Sequence, residues 1–130
     1  MTPTIVMFCA KRYRFSSEKA AYLWLMENFL RVRPDLLSDP AIPKQRNGRP
    51  LLSLSPIDTP DQAKLPIGMY VQTNLSNQQK VRSLDSVAQR VGLKRGRDWE
   101  WHAHHQPTPR YIDGDALLAQ FEADYRPISN

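Results

Sequence analysis

Residues 98–105 read Asp-Trp-Glu-Trp-His-Ala-His-His, and the fold turns on whether they form a strand with the tryptophans facing inward. Strand side chains alternate between faces, so Asp98, Glu100, His102 and His104 share one side, and Trp99, Trp101, Ala103 and His105 the other. Exposing the indoles would turn two carboxylates and two imidazoles into the interior, where unpaired polar and charged groups are costly. Burying the indoles is the cheaper arrangement. The acid and histidine face is then the one left for function.

Working upstream, the turn Lys94-Arg95-Gly96-Arg97 follows a helix with both ends marked. Ser76 and Gln79 form a capping box, Val81, Leu84, Val87, Ala88 and Val91 make one apolar face, and Gly92 closes the helix. Residues 67–75 before it read as a strand. The stretch 34–66 carries seven of the eleven prolines and is expected to be mostly irregular. Within it Asn47-Gly48 signals a turn, residues 50–55 a short strand, and Thr59-Pro60-Asp61-Gln62 a lone capped helical turn.

At the N-terminus, residues 4–15 are β-branched and aromatic and read as one strand, apolar on both faces in its first half and therefore central in a sheet. Cys9 lies in that half and is expected to be a buried thiol. Ser16 is a plausible N-cap for a helix whose stripe runs Tyr22, Leu25, Met26, Phe29 and Leu30, ended by Pro34. Asp113 caps a last helix carrying Leu117, Leu118, Phe121 and Tyr125.

The order strand, helix, strand, strand, helix, strand, helix predicts an α+β chain, a ferredoxin-like split βαβ (βαββαβ) with an added C-terminal helix. The whole of 1–130 is expected to be a single domain, with 34–66 as its irregular segment. The commonest sheet order places 98–105 at an edge. Something must cover the second face of the first strand: either the acidic C-terminal helix or a second copy, forming a homodimer through the open sheet face.

Composition narrows the function classes. At 41% hydrophobic and 24% charged, the chain reads as folded and soluble. Its longest apolar run, 20–26, is too short to cross a membrane, and the start lacks the order of a signal peptide, which predicts a cytoplasmic protein. One cysteine excludes an internal disulfide and a cysteine-based zinc site. The net charge of +5 is uneven: residues 1–110 hold 17 Lys or Arg against 9 acids, and 111–130 one Arg against 4 acids. A basic body suits a polyanionic or acidic partner, and equally an ordinary solvated surface.

Three patterns bear on chemistry. His102-Ala103-His104 resembles the His-hydrophobic-His motif of HUH endonucleases, nickases and small transposases, which use a ferredoxin-like sheet. The resemblance implies a divalent metal on His102 and His104 and Tyr125 as the attacking nucleophile, Tyr111 being more weakly placed; the strand spacing by itself puts Glu100 or Asp98 on the same face as a carboxylate for that metal. It spans three residues, and Trp-Glu-Trp stands where that family has an apolar run.

Arg95, Gly96 and Trp99 resemble the ribonucleoprotein consensus of RRM domains, with Arg97 where an aromatic should be, and imply stacking of single-stranded bases. Val87, Ala88, Val91, Gly92 and Leu93 resemble the first helix and turn of a helix-turn-helix, but Asp98 and the alternating tryptophans replace a second helix.

Within residues 76–97, Lys80, Arg82, Arg90, Lys94, Arg95 and Arg97 oppose one acid, Asp85. With no P-loop, dinucleotide fingerprint or nucleophile context, the leading expectation is a small non-enzymatic accessory or regulatory domain without a cofactor. It would dock on a protein or nucleoprotein partner through this basic region, as a phage- or plasmid-type inhibitor of a nucleic-acid machine would. The first alternative is a metal-dependent HUH-like nuclease or nickase acting on single-stranded DNA. The second is a single-stranded nucleic-acid-binding domain.

Overall fold

In a computed structural model, which describes residues 3–35, 50–101 and 110–125, the chain is α+β, with three helices and two sheets among those residues. The first sheet begins with a correction to the sequence reading. Residues 4–15 are not one strand but a hairpin of β1 (Thr4–Phe8) and β2 (Lys11–Phe15), paired antiparallel with Phe8 opposite Lys11. The two-residue turn is Cys9-Ala10, with φ of 52° and 69°. Both turn residues have positive φ, as in a type I′ turn, where Asn-Gly is usual. With neither residue present, nothing local announced the reversal. The Cys9 thiol accordingly sits exposed at the hairpin tip and not in the core, while the Cys9 N–H donates to the Asp98 carbonyl at 2.8 Å.

Pairing sorts the sheet's faces. The inner face carries Val6 beside Tyr13 and Trp101, Phe8 beside Trp99, and Thr4 beside Phe15; the outer carries Ile5, Met7, Arg12, Arg14 and Glu100. Against the inner face lies α1 (Glu18–Val32), whose Trp24 sits 5.7 Å edge-on from Phe8, 4.3 Å from Tyr13 and 5.6 Å from Phe15. Ser17, one residue later than expected, caps α1 by accepting from the Ala20 N–H at 3.1 Å. Ser16 instead gives its N–H to the Asp115 carboxylate, at 3.1 and 3.0 Å.

Helix α1 is buried around most of its circumference, because it faces partners on several sides. Its Tyr22 hydroxyl donates to the Gln72 carbonyl at 3.4 Å, and its Glu27 carboxylate accepts the Ile67 N–H at 3.1 Å and pairs with Arg31. These two bonds reach the segment of the second sheet, where β5 (Tyr70–Gln72) lies between β3 (Leu52–Ser53) and β4 (Gln62–Lys64). The short strand read in 50–55 is therefore present as β3, and that read over 67–75 is present but shorter. The helical turn read at 59–62 is absent. There the Gln62 side chain accepts the Ile57 N–H and donates to the carbonyls of Ile57 and Thr59, each at 2.8 Å, closing a loop that leads into β4. Asn47 and Gly48 lie outside the described residues.

Helix α2 (Asn77–Val91) matches the sequence reading: Ser76 and Gln79 form the reciprocal capping box, and Gly92 closes it at φ 86°. Leu84, Val87, Ala88 and Val91 are buried, and α2 packs on α1. Past Gly92 the chain turns into β6 (Trp99–Trp101) and not into a second helix, which removes the helix-turn-helix reading. Strand β6 is the edge of the order β6-β1-β2-β7, antiparallel to β1, with β7 (Ile112–Asp113) parallel to β2 at the other edge. Trp99 and Trp101 are buried, so the indoles face inward as the opening stretch required.

Helix α3 (Gly114–Tyr125) lies on the same side as α1, where Leu117 and Leu118 join the core. It therefore does not cover the outer face of the first sheet, a role for which it was one of the two candidates foreseen. Asp113 caps it as expected, accepting from the Ala116 N–H at 3.3 Å. No helix among the described residues is long and apolar enough to cross a membrane.

Candidate functional site

The six basic residues singled out in the sequence fall on α2 and its exit, and the fold assigns them different tasks. Lys80 is buried at 9% exposure, and its Nζ donates to the Leu75 carbonyl at 3.1 Å, so it serves the start of α2. Arg82 is exposed on α2 and makes no ion pair among the described residues. Arg90 is exposed in the last turn, where a cation suits the helix dipole. Lys94 is exposed, and its backbone N–H binds the Asp98 carboxylate at 2.8 Å.

Arg97 holds Asp98 through Nε at 3.1 Å and Nη2 at 2.8 Å. Together with the Lys94 N–H, that guanidinium keeps the Asp98 carboxyl below the usual carboxylate range. Asp98 is thus the brace of the turn, a role its strand-face assignment in the sequence did not suggest. Arg95 gives Nε to Glu100 at 2.9 Å, and its guanidinium lies 5.6 Å from the Trp99 ring centre. Glu100 Oε2 also accepts the Trp101 N–H at 2.8 Å, so Arg95 is held by an oriented carboxylate and an indole face.

Arg82 and Arg95 border one groove of about 430 Å³. Its other walls are Asn77, Gln78 and Val81 from the first turns of α2, and Trp101 from β6. Asn77 and Gln78 were not singled out in the sequence, and Val81 only as a member of the helix's apolar face. Their spacing could have found them: 77, 78, 81 and 82 lie three and four apart on one helix face, beside the buried stripe.

The metal and nuclease reading rests largely on residues beyond those described. His102 and His104 lie outside them, as does the Tyr125 side chain, although α3 includes the Tyr125 backbone. Glu100 is described, and it is engaged by Arg95 and its own strand. The outer sheet face, through which a homodimer was expected, exposes Arg14 and carries the half-buried Arg12 and Glu100. A second copy seated there would have to answer those charges.

Compared with known proteins, the chain matches no family model, no curated protein and no solved structure. What can be said of its function therefore rests on its own residues.

Proposed function

We propose that this protein is a cytoplasmic, non-enzymatic accessory or regulatory domain that docks on an acidic or polyanionic face of a protein or nucleoprotein partner. The seat is α2 and its exit. The carrying observation is that Arg82, Arg90, Lys94, Arg95 and Arg97 are all exposed along one helix and the turn that follows it. Two of them are also held ready by neighbours, Arg95 by Glu100 and Trp99 and Arg97 by Asp98. Side chains that are already ordered lose less entropy on engaging a partner. Lys80, taken up by Leu75, is left out of the docking set.

The proposal includes the finer fold, a ferredoxin-like split βαβ domain with an added helix. Its support is the last expected strand, β6, lying antiparallel to β1 at the sheet edge, and the packing of α1 with α2. The separate sheet of β3, β5 and β4 is a departure such a domain would have to accommodate.

Chromatography on heparin, nucleic acid and polyglutamate tests the docking. Retention on at least one of them should weaken steeply with salt, and again when Arg90 and Lys94 are both changed to Glu. Retention on none, or retention indifferent to that charge reversal, would show the basic flank to be merely solvated.

A further inference from the structure

Two acids and two arginines at the exit of α2 repeat one arrangement. Asp98 Oδ2 accepts the Lys94 main-chain N–H at 2.8 Å, which ties the carboxylate to the backbone. The same oxygen takes Arg97 through Nε at 3.1 Å and Nη2 at 2.8 Å. Two residues on, Glu100 Oε2 accepts the Trp101 N–H at 2.8 Å and the Arg95 Nε at 2.9 Å. In both cases a carboxylate anchored by the main chain grips an arginine by its Nε side.

A guanidinium carries five N–H donors in a rigid, planar fork. Engaged along its Nε side, it keeps the outer hydrogens of its two Nη groups for an oxyanion that approaches end-on. The grip also fixes the plane of the fork, and for Arg95 the Trp99 ring, 5.6 Å away, fixes it from a second direction. Both forks can be reached, since the Arg95 and Arg97 side chains are 44% and 68% exposed. Arg82 is exposed too, but has no acid partner among the described residues. By charge alone, Asp98 and Glu100 only weaken a surface that faces an anion; as anchors they orient it.

We propose that Arg95 and Arg97 are the specificity-determining contacts of the docking surface, each presenting an end-on fork to an oxyanion of the partner, and that Glu100 and Asp98 are their positioning residues. The proposal rests on the docking reading above and ranks the residues within it. The other cations act through charge alone. Lysine cannot stand in for Arg95 or Arg97, because an ammonium has neither the Nε to be gripped nor the fork to be aimed.

The test keeps the charge constant. Short labelled oligoglutamate and oligodeoxythymidine are titrated by fluorescence anisotropy at one salt concentration, with thermal melting of each variant to confirm its fold. Arg95→Lys and Arg97→Lys should each weaken binding of at least one probe at least about fivefold, against less than about twofold for Arg82→Lys. In a Glu100→Gln background, where the fork is no longer held, Arg95→Lys should cost less than about twofold, and Asp98→Asn should have the same effect on Arg97→Lys. Both amides keep an acceptor for the main-chain N–H. Which probe responds tells a carboxylate partner from a phosphodiester one. The unsubstituted protein supplies a second readout: exchange of the Nε–H, followed by NMR without any probe, should be at least about tenfold slower at Arg95 and Arg97 than at Arg82.

Equal losses at the three positions, or losses that persist in the amide backgrounds, would overturn the proposal and leave docking by charge in place. So would Nε–H exchange as fast at Arg95 and Arg97 as at Arg82. If the parent binds neither probe nor heparin, the docking reading fails and this proposal fails with it.

Discussion

Cys9 and Ala10 are where the backbone is least comfortable, since an L side chain at positive φ costs roughly 1 kcal/mol or more. Ala10→Gly should therefore stabilise the fold by about 0.5–1 kcal/mol, after the entropy that glycine adds to the unfolded chain, and so raise the urea midpoint. An unchanged or lower midpoint would mean that the turn is not strained. Tyr22 makes a second residue-scale case. Burial pushes its phenol well above the ordinary range. Its contribution to stability is whole below the unfolded phenol value of about 10. It drains as pH rises beyond that, because the unfolded chain ionises while the folded one does not, at up to about 1.4 kcal/mol per pH unit. Tyr22→Phe should flatten the alkaline part of the stability profile measured by denaturant titration between about pH 9.5 and 11. A profile as steep as the parent's would assign that loss to other groups.

Between elements, α3 closes tightly on β2 at Gly114. A Cβ on Gly114 would stand 2.4 Å from the Phe15 ring, which is itself fully buried. Gly114→Ala should cost about 1–3 kcal/mol by forcing the ring or the helix start to move. It should also raise amide exchange at Ser16, whose N–H depends on Asp115 of that helix. Unchanged stability would show that α3 can tilt freely. The elements also differ in how plainly they were written. Helix α2 was legible end to end, because its caps and its apolar face are local in sequence. The hairpin was not, because a turn without Asn or Gly is imposed by pairing with β6 and by the aromatic cluster behind it. At Thr59 to Gln62 the capping pattern of the sequence does not form its box: Thr59 Oγ1 accepts the Asp61 N–H and the Gln62 amide donates to the Thr59 carbonyl, bonds that serve a loop, since no apolar helical face follows.

For the whole molecule, a single buried cluster joins residues of both sheets, α1 and α2, with Leu117 and Leu118 of α3 packed against it. Such sharing predicts one cooperative transition: the tryptophan signal, from Trp24, Trp99 and Trp101, and the helical signal should coincide in urea. Two separated transitions would show that the helices and the first sheet do not unfold as one unit. The candidate site belongs to this scale as well. Its basic half was legible as a run of Arg and Lys with a single acid. The groove was not, because Arg95 and Trp101 come to border it with Arg82 and Val81 only after the chain has turned into β6.

The sequence by itself determined the α+β class, the bounds of α2, the inward indoles of residues 99–101 and the charge of the α2 exit, since each follows from patterns within a few residues of the chain. Only the tertiary structure decided that residues 4–15 double back, that 52–72 make a sheet of their own, and that Lys80 is spent internally while Arg82 and Arg95 face one groove. Those outcomes depend on contacts between segments far apart in sequence, where packing and long-range pairing outweigh local preference.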